Sequence, residues 1–372
     1  MKIIQVATLF TPENAYGGPT TVALGHCRAL REAGHDVVLA AAAQGYPGSL
    51  PTSIQGVPVK LFPARRVIPK AGFAGLTSPG LLAWLRRQLA DTDAVHVHLA
   101  RDLVTLPAAA LALRAGVPLF AQTHGMIDPS SNPLAAPLDA ALTKRVLRQA
   151  RRVFYLTDVE ADGIRAVAGD GVPLEYLRNG LDARDDVAAR QPTDAPGVLF
   201  LARVQERKRP LSFVHAATAL APEFPGATFR MVGPDEGGAG DAVRAAIAAS
   251  GLGDRLAWTG PANREQCRAA MDAADLYVLP SVNEPYPMAV LEAMAAGLPV
   301  VITDTCGLAP AVREGGAGLV TTADPDAVTD GVRTLLAHPE QLHEASENAL
   351  RLIRDQFSMT PITHQLVQAY GD

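Results

Sequence analysis

The sequence is poor in cysteine, in aromatic residues and in long apolar runs. Cys27, Cys267 and Cys306 are its three cysteines. They are odd in number and far apart, so they suggest neither a disulfide framework nor a metal spacing, and a reducing cytoplasmic setting is expected. No apolar run reaches the ~18 residues of a membrane-spanning helix. No basic-plus-apolar leader opens the chain, because Lys2-Ile3-Ile4-Gln5-Val6 already reads as a strand. Aromatics make up 5% of residues and are not interleaved with a basic stripe, and the pI is near 6.0, which argues against nucleic-acid binding. No Gly-x-Gly-x-x-Gly follows the first strand, which excludes a nicotinamide dehydrogenase.

What is present is a chain of 372 residues, 48% hydrophobic and 19% charged, enough for two domains with full cores. The net charge of −5 is uneven. Residues 1–180 hold 18 Lys and Arg against 13 Asp and Glu, whereas residues 181–372 hold 15 against 25. Apolar runs alternate with helical patterns throughout, which predicts α/β layers with parallel sheets. The predicted strands are 3–9, 37–42, 57–62, 94–98, 119–123 and 153–156, then 198–202, 228–232, 256–259, 276–279, 300–303 and 318–320. Gly34 and Gly116 sit where helices should end. The division expected is a domain over 1–181, a polar hinge over 182–196 with Pro192 and Pro196, a second domain over 197–356 and a terminal helix over 357–372.

The most informative passage runs from Asn283 to Met294. Glu284 follows a predicted strand, and Glu292 lies eight positions on, within a predicted helix. Gly297-Leu298-Pro299 then stops that helix, and Val300-Val301-Ile302-Thr303 begins the next strand. In an open parallel sheet, ligands bind at strand carboxyl ends. Helix N-termini there favour anions, and a carboxylate further in can grip a sugar diol. Upstream, Arg203 and Lys208 follow another predicted strand and suit a diphosphate. Arg207 and Arg209 are read as a solvated loop.

Glu284, seven residues, Glu292, then Ala293-Met294-Ala295-Ala296-Gly297-Leu298-Pro299-Val300, resembles the retaining glycosyltransferases of the GT-B type, family 4, also called glycosyl transferases group 1. The resemblance implies two Rossmann-like domains facing across a cleft, with a C-terminal helix crossing back to the N-terminal domain. It implies that Arg203 and Lys208 hold the donor diphosphate. Glu292 would hold the ribose hydroxyls, and Glu284 would face the donor sugar. The backbone N–H groups of Met288, Ala289 and Val290 would meet phosphate and sugar oxygens. Gly17-Gly18 resembles a loop that closes over the donor phosphate. His124, at the end of strand 119–123, resembles the family's active-site histidine. Thr20, Asp128 and Asn132 are candidates for the acceptor. Ala202, Arg209, Pro285 and Pro287 stand where the family commonly has glycine.

The reading is therefore a retaining hexosyltransferase. It takes a nucleoside diphosphate sugar, UDP favoured and GDP the alternative, and an acceptor hydroxyl of a glycan, a lipid-linked intermediate or a small natural product. No cofactor and no metal are expected. Asp91-Thr92-Asp93 spells a metal motif of another transferase class but precedes a strand, so Asp93 is read as a turn residue. A non-catalytic nucleotide-sugar binder, or an epimerase or phosphorylase on the same fold, is the alternative. Lys208 is the only lysine after residue 144 and leaves no candidate to carry pyridoxal phosphate. The basic stretch 64–73 is read as a surface loop, with peripheral contact at an anionic inner-membrane face as the alternative. His96 and His98 alternate on a strand and are read as core.

Overall fold

A computed structural model describes residues 1–12, 17–69, 71–181 and 186–371. The chain divides into two units: Met1–Asp182 with Met359–Asp372, and Ala183–Ser358. The first unit is built on eight strands: β1 (Lys2–Phe10), β2 (Asp36–Ala43), β3 (Ser53–Ile54), β4 (Val57–Pro63), β7 (Ala94–His98), β8 (Leu119–Gln122), β9 (Arg152–Tyr155) and β10 (Leu174–Tyr176), ordered β10-β9-β8-β7-β1-β2-β4-β3. All neighbours are parallel except β3 and β4. Between β4 and β7 lies a separate two-stranded ribbon of β5 (Arg65–Arg66) and β6 (Leu76–Thr77).

Strand alternation explains the two cores of this unit. Ile4 and Val6 of β1 and Val95 and Val97 of β7 join one apolar cluster with Leu81, Leu85 and Leu106. Ile3 and Ala7 point the other way, into a cluster with Leu24 and Leu30 of helix Gly17–Glu32. Leu366 and Tyr370 of helix Met359–Gly371 complete that second cluster. The terminal helix therefore packs on the first unit, as the family resemblance implies. Gly34 ends helix Gly17–Glu32 with φ +87°, a conformation costly for other residues.

The second unit holds β11 (Gly197–Leu201), β12 (Thr228–Val232), β13 (Leu256–Trp258), β14 (Leu276–Leu279), β15 (Val300–Thr303) and β16 (Gly318–Thr321). They form an all-parallel sheet in the order β13-β12-β11-β14-β15-β16. Numbered within the unit, that is the 3-2-1-4-5-6 order of a doubly wound sheet. Its switch point lies between β11 and β14, whose carboxyl ends lead to Arg203–Lys208 and to Glu284.

Three features differ from the sequence reading or refine it. The basic stretch expected as a loop over 64–73 is partly ordered as the β5–β6 ribbon, with Arg66 Nη1 bonded to Gly72 O at 2.8 Å; Lys70 lies outside the described residues. Of the expected hinge, residues 182–185 lie outside the described residues. Arg190, further along it, is fastened to the second unit: its guanidinium donates to Asp272 O, Met271 O and Ala296 O at 2.8–3.1 Å, and its backbone N–H to Ser346 Oγ at 2.8 Å. Asp93 accepts from Lys2 N at 2.7 Å and is spent on holding strand ends together.

Candidate active site

The loop after β11 places Lys208 in a buried position, 8% exposed. Its ammonium is bonded to Glu284 Oε2, and Glu284 is itself buried, 6% exposed. Burial pushes the Lys208 pKa down, and the Glu284 carboxylate opposes that push. Arg207 Nη1 reaches the same Glu284 oxygen at 2.9 Å and Asn283 O at 3.1 Å. A buried carboxylate held by two cations repays its desolvation through charge-assisted bonds. Arg203, the other expected cation, instead pairs with Glu236 at 2.9 Å, both side chains about half exposed. Gly233, after β12, approaches so closely that a Cβ there would lie 2.0 Å from Ala202 O.

The backbone around this cluster is bent in unusual ways. Among the described residues, Gln55, His124, Arg209 and Asn283 are the non-glycine positions with positive φ. Arg209, at +50°, opens helix Pro210–Leu220; Asn283, at +49°, immediately precedes Glu284. Left-handed conformations in such residues cost energy and concentrate at functional sites. Arg207, Arg209, Gly237, Gly238 and Val282 line an open groove of about 700 Å³.

Helix Met288–Ala295 follows Glu284. Its first residues, Met288 and Ala289, stand where helix geometry provides no internal N–H partner. The expectation for Val290 is corrected: its N–H is donated to Pro287 O at 3.0 Å and is already spent. Glu292 lies further along and is exposed. Protein atoms around it nonetheless desolvate the carboxyl and raise its pKa, against the pull of Arg264. Beneath, Tyr277 is fully buried and donates its hydroxyl to Leu201 O at 2.9 Å.

In the first unit, β8 leads through Thr123 into His124, whose φ is +51°. Glu160 holds this turn. It accepts from Thr123 Oγ1, from Gly125 N at 2.5 Å and from Leu156 N at 2.7 Å. His124 Nε2 lies 2.8 Å from His98 Nδ1, so Nδ1 is the ring nitrogen left for a ligand. Burial pushes the His124 pKa down to about 3, and His26 adds to that push. The imidazole is neutral at physiological pH.

The remaining expected residues are placed as follows. Gly17 and Gly18 open helix Gly17–Glu32, and residues 13–16 before them lie outside the described residues. Thr20 is 3% exposed and so faces the protein interior, where sequence placed it at the acceptor. Asp128 is exposed beside Arg101, 3.6 Å away, which is itself anchored by Asp139 at 2.8 Å. Asn132 Oδ1 accepts from Leu134 N at 3.0 Å and shapes its own turn. Sequence reasoning missed Arg207 and Glu160. Adjacency to Lys208 was the only signal for the first. The second is announced by Thr157-Asp158-Val159-Glu160, a capping-box spacing, and Thr157 Oγ1 does accept from Glu160 N at 3.2 Å.

Two family models match the chain: glycosyl transferases group 1 over residues 183–351, and a glycosyl transferase 4-like domain over residues 17–180. D-inositol 3-phosphate glycosyltransferase 1 of Catenulispora acidiphila is 31% identical over 295 residues, covering 72% of this chain and 70% of its own. The 2-deoxystreptamine N-acetyl-D-glucosaminyltransferase of Streptomyces fradiae is 29% identical over 359 residues, covering 86% and 84%. Among solved structures, Anabaena HepE in complex with UDP matches with a TM-score of 0.76 at 18% identity over all of both chains. The lipopolysaccharide glycosyltransferase WaaG matches with a TM-score of 0.65 at 16% identity, over 98% of each chain. At such identities these structures show the fold, the GT-B arrangement of α/β layers expected from sequence. No helix among the described residues is long and apolar enough to cross a membrane.

Proposed function

The chain belongs to the glycosyl transferases group 1 family and is a GT-B glycosyltransferase of family 4; from that premise we propose that it moves a hexose from a nucleoside diphosphate sugar to an acceptor hydroxyl, with retention of anomeric configuration. The observation that carries the donor assignment is the convergence of Lys208 and Arg207 on Glu284, at the carboxyl ends of β11 and β14. Negative charge grows on the diphosphate as the glycosidic bond breaks, and fixed cations beside it stabilise that change. Arg203 joins them when donor phosphate replaces Glu236 as its partner. Glu292 takes the ribose hydroxyls, and the open end of helix Met288–Ala295 takes phosphate oxygens. No metal or cofactor is assigned to the transfer, because these cations supply the charge.

The bond from the anomeric carbon to the phosphate oxygen breaks. The acceptor oxygen bonds to that carbon on the same face. The acceptor proton passes to the leaving phosphate oxygen. His124, neutral and with Nδ1 unspent, contributes a hydrogen bond to the sugar side rather than charge. UDP is the favoured nucleotide and GDP the alternative; HepE, which shares the fold, has been crystallised with UDP and with UDP-glucose. The relatives' names carry small polyols, inositol phosphate and 2-deoxystreptamine, which favours a small-molecule acceptor. The exposed Arg65–Arg66 ribbon suits peripheral contact with an anionic membrane.

The test is calorimetric titration with UDP, GDP, ADP and dTDP, with and without EDTA. Micromolar binding of one nucleotide, unchanged by EDTA, is expected and names the base. Failure of all four would remove the donor assignment.

A further inference from the structure

A second cluster of ionisable side chains lies inside the first unit. His96 and His98 alternate on β7, on the same face as Gln5 of β1, which is the register partner of His96. His98 pairs in register with Gln122 of β8. His26, from helix Gly17–Glu32, lies over them. All three histidines are 0% exposed. Among the described residues, this is the trio of metal-ligating side chains that gathers, with one ring nitrogen of each within 4.8 Å of the others.

The hydrogen bonding of the cluster is incomplete. Among the described residues, neither nitrogen of His26 has a partner, and His96 Nε2 has none. Gln122, whose Oε1 also lacks a well-formed partner, lies beside His96 and pushes its pKa up, against the larger downward push of burial. A neutral imidazole carries one donor and one acceptor, and burying both unmet is costly. Simple packing would be served by an apolar side chain at position 26. The polar ring in that place asks for a partner that the described residues do not supply.

We propose that His26, His96 and His98 bind a transition-metal ion, zinc by preference, as a structural site that ties helix Gly17–Glu32 to the first sheet. Imidazoles around tetrahedral zinc place their ring centres about 5 Å apart. Here the centres are 5.9 Å apart for His26–His96, 5.9 Å for His26–His98 and 4.9 Å for His96–His98. The ligand nitrogens, which lie within 4.8 Å of one another, draw in to roughly 3.3 Å on binding. Burial keeps these rings neutral, the form that coordinates metal; His26 is pushed down to about 3.

The outer contacts fit the same assignment. His96 Nδ1 lies 2.7 Å from the Tyr370 hydroxyl, which fixes the ring and leaves Nε2 for the ion. His98 Nδ1 meets His124, and Nε2 meets Gln5 Oε1 at 3.0 Å. His98 Nε2 now donates to Gln5 Oε1; on binding it gives up that bond for the ion, and the ring carries its proton on Nδ1 instead. That proton is then donated to His124 Nε2, so His124 carries its own proton on Nδ1. The ion thus sets the tautomer of His124 without touching substrate.

The test uses the full-length chain, freed of any histidine tag. Metal content after dialysis is measured by mass spectrometry, and the stripped protein is titrated with Co²⁺ alone. The expected results are about one tightly held ion per chain, a visible absorption from imidazole-bound Co²⁺, and a lower Tm after stripping. His26→Leu, checked for folding by circular dichroism, should hold no ion and lose the Co²⁺ absorption. The wild-type measurement stands even if that variant misfolds. Wild-type protein that retains no metal and gives no Co²⁺ absorption would overturn the proposal and leave buried water as the partner of His26. An ion that persists in His26→Leu would overturn it equally.

Discussion

Arg207 Nη1 lies 2.9 Å from Glu284 Oε2, the oxygen that the Lys208 ammonium also holds. One carboxylate therefore positions two cations from a different loop before any anion arrives. Preorganised charge of this kind costs no reorganisation during reaction. Glu284 then serves as the post to which the phosphate-binding cations are tied.

Lys208→Met removes the buried cation and leaves Glu284 with Arg207 alone. The expected loss in kcat/KM is about 100- to 1,000-fold, the range for deleting one transition-state donor. Initial rates with the nucleotide sugar measure it. Lys208→Arg should not rescue, because the slot is buried and shaped for a point charge. A defect confined to KM would reassign Lys208 to ground-state binding.

Glu292→Gln removes the charged acceptor from the proposed ribose contact. A hydrogen bond to a charged group contributes roughly 1.5–3 kcal/mol, so nucleotide affinity should fall about 10- to 150-fold. The wild-type protein adds a pH signature. Desolvation raises the Glu292 pKa above 4.5, so its contribution to folding stability is present below 4.5 and is lost as pH rises through the raised value. Binding runs in the opposite sense, since it uses the carboxylate, and should strengthen over that same window. Calorimetric titration across pH 5–8 should show this limb in wild type and not in Glu292→Gln. Equal affinities at neutral pH would refute the ribose assignment.

The donor side of the site was largely legible in the sequence because it depends on local order. Strand, loop, helix and a fixed Glu-to-Glu spacing lie within a short stretch, and β14, helix Met288–Ala295 and β15 appear where the pattern puts them. Long-range choices were not legible. Arg207 and Arg209 looked alike in sequence, but Arg207 meets Glu284 and Asn283 O, while Arg209 turns to Ser212 Oγ at 3.4 Å. Arg203 found Glu236 across 33 positions. His26 was not singled out in the sequence; the register of β1, β7 and β8 brings polar residues beneath it.

Glu160→Ala leaves Thr123 Oγ1, Gly125 N and Leu156 N without their acceptor. Unmet buried donors cost about 1–3 kcal/mol each, so urea denaturation should register a loss of about 3 kcal/mol or more. His124 sits in the released turn at φ +51°, so kcat should fall as well. UDP affinity should change little, because Lys208, Arg207 and Glu292, the groups proposed to hold the nucleotide, lie on the second unit. Glu160→Gln keeps one acceptor oxygen and should recover part of the stability. A variant with full activity would show that this turn does not need to be held.

Gly233→Ala tests how the diphosphate loop is supported. Gly233 has φ +142°, and an added Cβ would lie 2.0 Å from Ala202 O and 2.7 Å from Ala202 C. Backbone cannot rotate aside as a side chain can, so β12 and the loop after β11 must separate. Backbone strain and overpacking together cost about 2–4 kcal/mol, a fall in Tm on the order of 10 °C for a unit of this size. The shift displaces Ala202 and Arg203, so nucleotide affinity should weaken with it. Gly238→Ala separates strain from displacement: its φ is +79°, but its Cβ would meet nothing within 4 Å. That variant should lose only about 1–2 kcal/mol of stability and keep its affinity. If both variants bound nucleotide equally well, the approach of Gly233 to Ala202 would be a matter of folding alone.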